Sequence, residues 1–561
     1  MSREVPARAE AIRRLDPLHN PGVLDTATWD RTAAWRAVGR IGERWAAAGD
    51  GGVVGEGVAT YGGSAVRRGA ARFLLAGLPD GQQVFVELGR GGAPLGMPLG
   101  ELTLKSGLRV AAYPTDAAVL DRYCRVARPP NRPRALGAEP RLGLGSRMTT
   151  SVWPAMFEAM QRGSFAANTI QNSVRELNLL GDLLAGRPAP TNYACGFGTI
   201  ETGYTGSSWE GLWVSGVLAA LQHSAPLRYG ADADHLQIKR GAKGLDRAKK
   251  FVKAARYYTF YTLDMADILD YEGRAGRVAD GREQRAVMAC HREPLRLGKT
   301  RYTIDEPTIG RLIGKYWDAL DALTELSDYI SRLKDGEAFD LEFTMDEHPP
   351  EVAAFDCLTT PEELCFVLRE IRRRGLPVTH IAPNFGQEKG WDYRCPDGLA
   401  GLEKRVSAQA AIAEAFDVML DVHSADDLSR PVRRVIRRAT GGRLHYKISP
   451  MLQSLFAATL ADHDPRLFGQ WWADARAYAA REAEAGSAFA AECLRADEAA
   501  NRPPSPRHKA FHHFSFAFVG RRDKAGRFLH RERFYALPAA FLRDYTRRVA
   551  GYLGKLAEDL F

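Results

Sequence analysis

Two carboxylates and an imidazole follow a short apolar run at residues 229–235, at a point where a buried strand would end. The segment reads Tyr229-Gly-Ala-Asp-Ala-Asp-His235. Acidic and histidine side chains at strand ends can transfer protons or bind a metal ion. Three later segments repeat the pattern: Leu341-Glu-Phe-Thr-Met-Asp346, Met419-Leu-Asp-Val-His423 and Leu444-His-Tyr-Lys447. Their polar residues alternate with apolar ones and therefore share one face of each strand.

Three imidazoles on three of these strands are candidate ligands of a divalent cation such as Zn, Mn, Ni or Co. They are His235, His423 and His445. A single histidine of this kind would more simply be a core residue that is hydrogen-bonded to a carboxylate. Three at matching strand ends favour a metal site, where the ion would polarise a substrate oxygen.

Asp234 and Glu342 are the candidate acid/base residues. Two carboxyl groups on facing strands could remove a proton from one face of a carbon and return it to the other. The alternative is that they orient the histidines, a role that Asp421 and Asp426 could also hold.

Lys447 and Arg147 are the candidate substrate-binding residues. Lys447 lies two residues after His445 on the same strand face, so its ammonium could bind a substrate carboxylate. A Schiff-base lysine and a purely structural lysine are the alternatives. Arg147 follows the first predicted strand, and its guanidinium matches a carboxylate bidentately.

Several classes of protein are excluded by the composition and the motifs. No Walker loop and no glycine fingerprint with an acidic partner occur, so we expect no nucleotide cofactor. The seven cysteines are never spaced Cys-x-x-Cys, which argues against a disulfide framework or a thiolate zinc site. A net charge of +9 over 561 residues, without basic runs interleaved with aromatics, argues against nucleic-acid binding. No apolar run reaches membrane-spanning length, which indicates a cytoplasmic enzyme that acts on a small molecule.

From residue 142 onward, short apolar strands alternate with amphipathic helices, which predicts parallel strands joined by crossover helices. Eight strands are expected, at 142–145, 227–234, 258–264, 339–346, 378–383, 418–423, 443–448 and 511–519. Eight strands close a TIM-like (β/α)8 barrel, whereas a doubly wound sheet would give similar local patterns. The barrel is favoured because polar ends recur on at least four strands.

The Pro-rich segment Arg128-Pro-Pro-Asn-Arg-Pro-Arg134 predicts a domain boundary. We expect an α+β accessory domain at 1–138, which could cover the barrel mouth or mediate assembly of a homo-oligomer. The catalytic barrel is expected at 139–561, and it ends in a C-terminal helical extension.

The motifs together resemble the tagaturonate epimerase family of bacterial hexuronate catabolism. They are, in order, Gly230-Ala-Asp-Ala-Asp-His-Leu236, Tyr258-Thr-Phe-Tyr-Thr-Leu-Asp264, Phe339-Asp-Leu-Glu342, Ile381-Ala-Pro383, His423-Ser-Ala-Asp426, Thr440-Gly-Gly-Arg-Leu-His-Tyr-Lys447 and His463-Asp-Pro.

The resemblance implies a metal-dependent barrel enzyme that interconverts D-tagaturonate and D-fructuronate. Asp234 and Glu342 match the acid/base pair, and His235 and His423 match metal ligands, with His445 as the expected third. The inverted carbon lies one position beyond the carbon next to the ketone, so its own proton is not acidic. Retro-aldol cleavage with re-addition, or stepwise migration of the carbonyl through enediols, would solve this problem.

The resemblance is weakest around the first strand, where Ser146-Arg147 is followed by Met148-Thr-Thr-Ser-Val-Trp-Pro154 and no histidine. Two other functions therefore stay open. One is an aldose-ketose isomerase that acts on a related sugar, and the other is a non-catalytic barrel that binds sugar acids.

Overall fold

The computed structural model describes residues 31–48, 59–78, 83–90, 94–194, 197–273, 276–278, 280–347, 352–500 and 503–561. Residues 1–30 and 49–58, which belong to the predicted accessory domain, lie outside the described residues. No helix in the described ranges is long and apolar enough to cross a membrane.

The N-terminal part is a helix packed on an antiparallel sheet. The sheet has the order β1-β2-β3-β5-β4, with β1 at Ala59–Arg68, β2 at Ala71–Gly77, β3 at Gln83–Gly89, β4 at Gly100–Thr103 and β5 at Arg109–Tyr113. Helix Arg31–Ala48 buries Val38, Ile41 and Trp45 against this sheet. The sheet also contributes side chains such as Phe73 and Phe85 to the apolar core of the rest of the chain. The predicted boundary near residue 138 stays a prediction.

Eight parallel strands close into a barrel, as the sequence predicted. They are β6 (Arg141–Gly145), β7 (Ala166–Ser173), β8 (Tyr229–Gln237), β9 (Phe260–Asp264), β10 (Asp340–Met345), β11 (His380–Pro383), β12 (Met419–Val422) and β13 (Leu444–Ile448). Each strand pairs with the next one along the chain, and β13 pairs with β6 to close the ring. A parallel order requires a crossover connection after every strand, and here helices supply them.

One helix follows each barrel strand and covers the outside of the barrel. These helices are Trp153–Gly163, Trp209–Gln222, Ala242–Ala254, Glu306–Lys334, Pro361–Arg373, Gly398–Ala415, Arg430–Thr440 and Pro450–His463. Additional helices in the first 300 residues are Ala117–Val126, Leu180–Leu184 and Gly281–Arg292. Three small strand pairs lie in the connections: Leu177–Asn178 with Ser207–Ser208, Thr191–Ala194 with Gly198–Glu201, and Leu295–Leu297 with Thr300–Tyr302.

Seven of the eight expected strands are present, but the last expected strand is helical, and the second strand of the barrel, β7, was not predicted. Strand β7 was missed because its inward positions carry Asn168, Gln171 and Ser173, which do not form an apolar run. The segment 511–519, predicted as a strand, instead forms the short helices Lys509–Phe514 and Ala517–Gly520. Its aromatic residues are buried by the helices of the C-terminal extension, which a local pattern does not reveal.

The C-terminal extension is helical, as expected. It consists of Pro465–Glu484, Ala488–Ala499, Lys509–Phe514, Ala517–Gly520, Arg531–Tyr535 and Ala539–Leu560. The last helix returns to the barrel and packs on Trp153–Gly163, and its Asp559 accepts hydrogen bonds from Arg430 and Arg433. The extension therefore covers part of the outside of the barrel, and its residues Glu482, Phe489 and His513 line cavities at the carboxyl end of the strands.

A buried charged cluster forms the floor of the barrel below the polar strand ends. Arg141 Nη1 donates to Asp340 Oδ2 at 2.9 Å, and Arg141 Nη2 lies 2.8 Å from His380 Nε2. Asp340 also accepts the backbone N–H groups of Leu136 and Gly137. These contacts join β6, β10 and β11 and tie the segment that leads into the barrel to its floor.

We expect Asp340→Asn to lower the free energy of unfolding by about 3–5 kcal/mol, because it leaves the buried Arg141 guanidinium without its counter-charge. Urea unfolding of both forms at neutral pH measures this difference. Glu403→Gln removes the partner of the exposed Arg438 and should change stability by less than about 1 kcal/mol. Equal effects of the two substitutions would show that Asp340 is not the stabilising counter-charge of Arg141.

Candidate active site

Two adjoining cavities open at the carboxyl end of the barrel strands. The larger, which we call the mouth cavity, has a volume of about 930 Å³ and reaches Asp421, His423 and Asp346. The smaller, which we call the inner cavity, has a volume of about 90 Å³ and reaches Asp234, His235 and Lys447. Both are lined by Arg175, Phe197, Lys389 and Ser424, so they share one wall. In (β/α)8 barrels this is the face on which active sites are built.

Lys447 lies at the centre of the barrel interior, and four carboxylates surround it. Its Nζ lies 2.6 Å from Glu342 Oε2, 3.1 Å from both Asp232 Oδ2 and Asp234 Oδ1, and 4.0 Å from Asp421 Oδ2. Its side chain is only 3% exposed. Lys447 therefore already has carboxylate partners within the protein, in addition to its hydrogen bond to Thr262.

Gly143 on β6 provides the space that Lys447 occupies. A Cβ atom at this position would lie 2.7 Å from Lys447 Cγ and 2.5 Å from Gln171 Oε1. Such contacts are closer than van der Waals packing allows, so the lysine and its partners require glycine on this strand.

The environment separates the pKa values of the four carboxyl groups. Burial raises the pKa of Asp232 to about 7, although Lys447 opposes the change. Burial and the charge of Glu342 raise the pKa of Asp421 well above its usual value. Burial would also raise the pKa of Glu342, but the charges of Lys447 and His423 outweigh burial and lower it. For Asp234, the charges of His235 and Lys447 outweigh burial and lower the pKa. Ionised and protonated carboxyl groups thus coexist near neutral pH, as acid/base catalysis requires.

An irregularity in β8 brings Asp234 and His235 into the site together. Consecutive strand residues normally point to opposite faces, but the pairing of β8 with β9 shifts register between Ala233 and Leu236. His235 has a φ of 44°, in the left-handed region that a non-glycine residue seldom adopts. Its Nδ1 lies 2.9 Å from Asp234 Oδ1, and this carboxylate outweighs burial and raises the pKa of His235.

His423 lies between two carboxylates at the border of the mouth cavity. Its Nε2 is 2.5 Å from Glu342 Oε1, and its Nδ1 is 3.0 Å from Asp346 Oδ2. Burial would lower its pKa, but Asp346 and Glu342 outweigh burial and raise it well above the usual value. The rings of His423 and His235 are 4.8 Å apart, so two of the three predicted ligands lie side by side.

The third predicted ligand, His445, is turned toward the barrel floor. Its Nδ1 lies 2.9 Å from Asp421 Oδ2, and its ring centroid is 5.8 Å from that of His380. Burial, Lys447 and Arg141 lower its pKa well below the usual value. The structure thus groups His445 with His380 and Asp421, and it groups His423 with Glu342 and Asp421. His235 belongs to neither set of close donors.

The group formed by Glu342, Asp421 and His423 has the donor chemistry of a divalent cation site. Its donor atoms lie within 4.8 Å of one another, and they combine carboxylate oxygens with an imidazole nitrogen. Asp421 Oδ1 is buried and has no hydrogen-bond partner in the described ranges. In the deeper group, by contrast, His380 is already in contact with Arg141 and Thr379. The residues nearer the cavity therefore fit an ion better than the floor does.

Basic side chains line the shared wall of the two cavities. Arg147 lies in the inner cavity, where its Nε is 3.2 Å from Glu176 Oε1. Arg175 lines both cavities, and its guanidinium has no hydrogen-bond or ion-pair partner among the described side chains. Lys389 has Glu347 at 4.0 Å. Burial opposes ionisation of Glu347, but Lys389 and then Arg175 lower its pKa to about 2.

Several residues of this site were not among the predicted ones. Asp232 is not one of them, because the sequence already offers it as a candidate two positions before Asp234 on the same strand face. Thr262 and Asp264 follow the same alternation on β9. Arg175 and Lys389 lie in connections after β7 and β11, where no periodicity indicates which residues face a cavity.

The family model described as tagaturonate epimerase matches residues 198–558, which is more than half of the chain. The chain belongs to the tagaturonate epimerase family. The resemblance predicted from the motifs is thus confirmed, and the matched range includes Asp234, Glu342 and all three predicted histidine ligands.

A curated relative in the same family is the tagaturonate/fructuronate epimerase of Thermotoga maritima. It is 28% identical over 281 residues, which cover 48% of this chain and 54% of that protein. The chain thus spans about half the length of the curated relative that it matches.

Solved structures of the fructuronate-tagaturonate epimerase UxaE from Cohnella laeviribosi share the fold. The complex with one glycerol has a TM-score of 0.63 at 20% identity and covers 94% of this chain and 99% of its own. The complex with two glycerols has a TM-score of 0.64 with the same identity and coverage. The fold of the family therefore extends over almost the whole chain, including the N-terminal part.

We expect Lys447→Met to lower the free energy of unfolding by about 3–5 kcal/mol, because four carboxylates would lose their shared buried cation. Adding Asp232→Asn should restore part of this loss by removing one of the repelling charges. Urea unfolding of both single variants and of the double variant tests the coupling. Lys239→Met, on the exposed surface, is the matched control. Strictly additive effects would show that Lys447 and Asp232 do not interact.

Proposed function

We propose that this chain interconverts D-tagaturonate and D-fructuronate, with a divalent cation of the Zn, Mn, Ni or Co type as its cofactor. One observation carries the proposal: in a member of the tagaturonate epimerase family, ionised and protonated carboxyl groups and two histidines converge beside a cavity with a basic wall. The substrate named for the Thermotoga maritima relative supports the same reaction.

Glu342, Asp421 and His423 would hold the cation, with His235 next to His423 as a further ligand. A bound divalent ion would polarise the ketone oxygen of the substrate. Loss of the protons that burial favours on Asp232 and Asp421 would leave four carboxylates around a single lysine, and their negative charge would balance that of the ion. His445 would act from below by orienting Asp421, which it contacts at 2.9 Å.

Asp234 and Glu342 are the proposed acid/base residues. Asp234 lines the inner cavity and is kept ionised by His235 and Lys447, so it can accept the proton of the hydroxyl group on the carbon to be inverted. In the retro-aldol route, cleavage of the neighbouring carbon–carbon bond then gives an aldehyde and an enediolate. Re-addition to the other aldehyde face requires a proton at the new hydroxyl group. Lys447 contacts Asp234 at 3.1 Å and Glu342 at 2.6 Å, so the proton that Asp234 took up would reach Glu342, on β10, through Lys447, and Glu342 would pass it to the new hydroxyl group.

The substrate carboxylate would bind at the basic wall. Lys447 is surrounded by carboxylates, so we assign to it the positioning of Asp234 and Glu342 and not direct binding of the acid. Arg147 faces the inner cavity, but Glu176 already contacts it. Arg175 and Lys389 line both cavities, and within the described residues neither side chain donates a hydrogen bond, so both can bind an anion.

The direct test is an assay of chelator-treated protein that is reloaded separately with Zn, Mn, Ni and Co. D-Tagaturonate and a panel of ketohexoses are the substrates, and carbon NMR identifies the products. Formation of D-fructuronate that depends on an added metal supports the proposal. An aldose product would instead identify an aldose-ketose isomerase. Binding of the acid without turnover under any metal would identify a non-catalytic sugar-acid-binding barrel.

We expect Asp234→Asn to lower kcat by about 10²–10⁴-fold, because the amide cannot accept the hydroxyl proton. Steady-state kinetics with D-tagaturonate measures the loss, and circular dichroism verifies the fold. Asp246→Asn, an exposed position on the helix that follows β8, should leave kcat unchanged. A decrease of less than about fivefold for Asp234→Asn would exclude it as the base.

We expect Arg175→Gln to raise KM for D-tagaturonate by about 10–100-fold, the loss of one charge-assisted hydrogen bond of about 1.5–3 kcal/mol. The change should leave kcat within a few-fold, because the guanidinium is assigned to binding alone. Arg162→Gln, on a side chain that is 76% exposed, is the control. An unchanged KM would place the substrate carboxylate elsewhere.

A further inference from the structure

A second cluster of potential ligands lies beside the inner cavity and shares no residue with the groups in the barrel interior. Asp427 ends the short turn Ala425–Asp427 that follows β12, whereas His512 and His513 lie in helix Lys509–Phe514 of the C-terminal extension. Asp427 Oδ2 is 3.8 Å from His512 Nε2 and 3.9 Å from His513 Nε2. Both distances are too long for hydrogen bonds.

Both Nε2 atoms are buried and have no hydrogen-bond partner within the described residues. His512 and His513 are 7% and 4% exposed, respectively. A buried polar atom that is left without a partner destabilises the fold, so two such atoms facing one carboxylate indicate a missing ligand. His512 Nδ1 lies 2.6 Å from Ser454 Oγ, which orients the ring and leaves Nε2 toward Asp427.

The protonation state and the spacing of these atoms suit a metal ion. Burial is the main cause that lowers the pKa of both imidazoles, to about 4 for His512, so both rings are neutral near pH 7 and can ligate a metal ion. Tetrahedral ligands at zinc–nitrogen and zinc–oxygen distances of about 2.0–2.1 Å lie about 3.4 Å from one another. The observed separations of 3.8 Å and 3.9 Å need only a small contraction.

Lys509 orients the carboxylate of Asp427, and its positive charge would repel a bound cation. Its Nζ donates to Asp427 Oδ1 at 2.6 Å and to the carbonyl of Gly390 at 2.7 Å, which leaves Oδ2 for the histidines. The nearby ammonium disfavours a dication electrostatically, so the ligand set must compensate for this repulsion.

We propose that Asp427, His512 and His513 form a second divalent-cation site of the zinc type. It joins the C-terminal extension to the connection after β12. Asp427 and His513 also line the inner cavity, so a fourth coordination position would face that cavity. The second site does not depend on the epimerase reaction or on the ion that we place in the barrel interior.

The test counts bound metal ions in the full-length chain. Chelator-treated protein is dialysed against zinc chloride and analysed by mass spectrometry of the metal, and cobalt chloride provides a visible absorption spectrum that reports tetrahedral coordination. We expect His512→Gln and His513→Gln each to lose one zinc equivalent and the tetrahedral cobalt bands. His508→Gln, a buried histidine at the start of the same helix, is the matched control and should keep both. Lys509→Met should tighten zinc binding several-fold by removing the opposing charge.

The pattern of losses separates the two metal proposals. If His423→Gln loses one equivalent while His512→Gln and His513→Gln lose none, the second site is wrong and the proposed metal dependence stands. If only the latter two variants lose an equivalent, the second site stands and the barrel ion is contradicted. The second site is also wrong if His508→Gln loses as much zinc as the other two variants. It is equally wrong if the unmodified chain binds no zinc. Circular dichroism of each variant shows that losses do not come from unfolding.

Discussion

The contact of one buried ammonium with four carboxylates is the interaction on which the interior of this barrel depends. Lys447 from β13 reaches Asp232 and Asp234 on β8, Glu342 on β10 and Asp421 on β12. Without that cation, four buried acids would repel one another and would each have to be neutral. The space that the Lys447 side chain occupies explains why position 143 is a glycine. It also keeps Asp234 and Glu342 ionised while burial holds a proton on Asp421.

The cavities have acidic groups on one side and basic groups on the other. The barrel interior is acidic and presents carboxylates and imidazoles, whereas the shared wall presents Arg175 and Lys389. A ketose that carries a carboxylate has the complementary distribution, because its ketone and hydroxyl oxygens can approach a cation while its acid group pairs with the basic wall. Arg147 and its partner Glu176 line the inner cavity. This complementarity supports the proposal that this member of the tagaturonate epimerase family acts on a sugar acid.

Most of the barrel could be predicted from the sequence, because seven of its strands contain a short apolar run and at least four of these also carry polar residues at their ends. Strand β7 could not, since its inward positions carry the buried polar side chains Asn168, Gln171 and Ser173 and leave no apolar signal. The helices at 509–520 were mistaken for a strand for a related reason. Their aromatic residues pack against distant helices, and local spacing does not encode such contacts.

The sequence by itself determined which groups enter the barrel, because strand alternation places Asp232, Asp234, Glu342, Asp421 and Lys447 on inward faces whatever their partners are. Tertiary structure alone decided which of these groups meet. The register shift and the left-handed backbone at His235 turn that ring to the side of Asp234. His445 lies near the floor of the barrel and His423 lies at the cavity, because the two residues occupy different heights on their strands. Such pairings depend on the stagger between strands and on connections far apart in the chain, and no local pattern specifies either one.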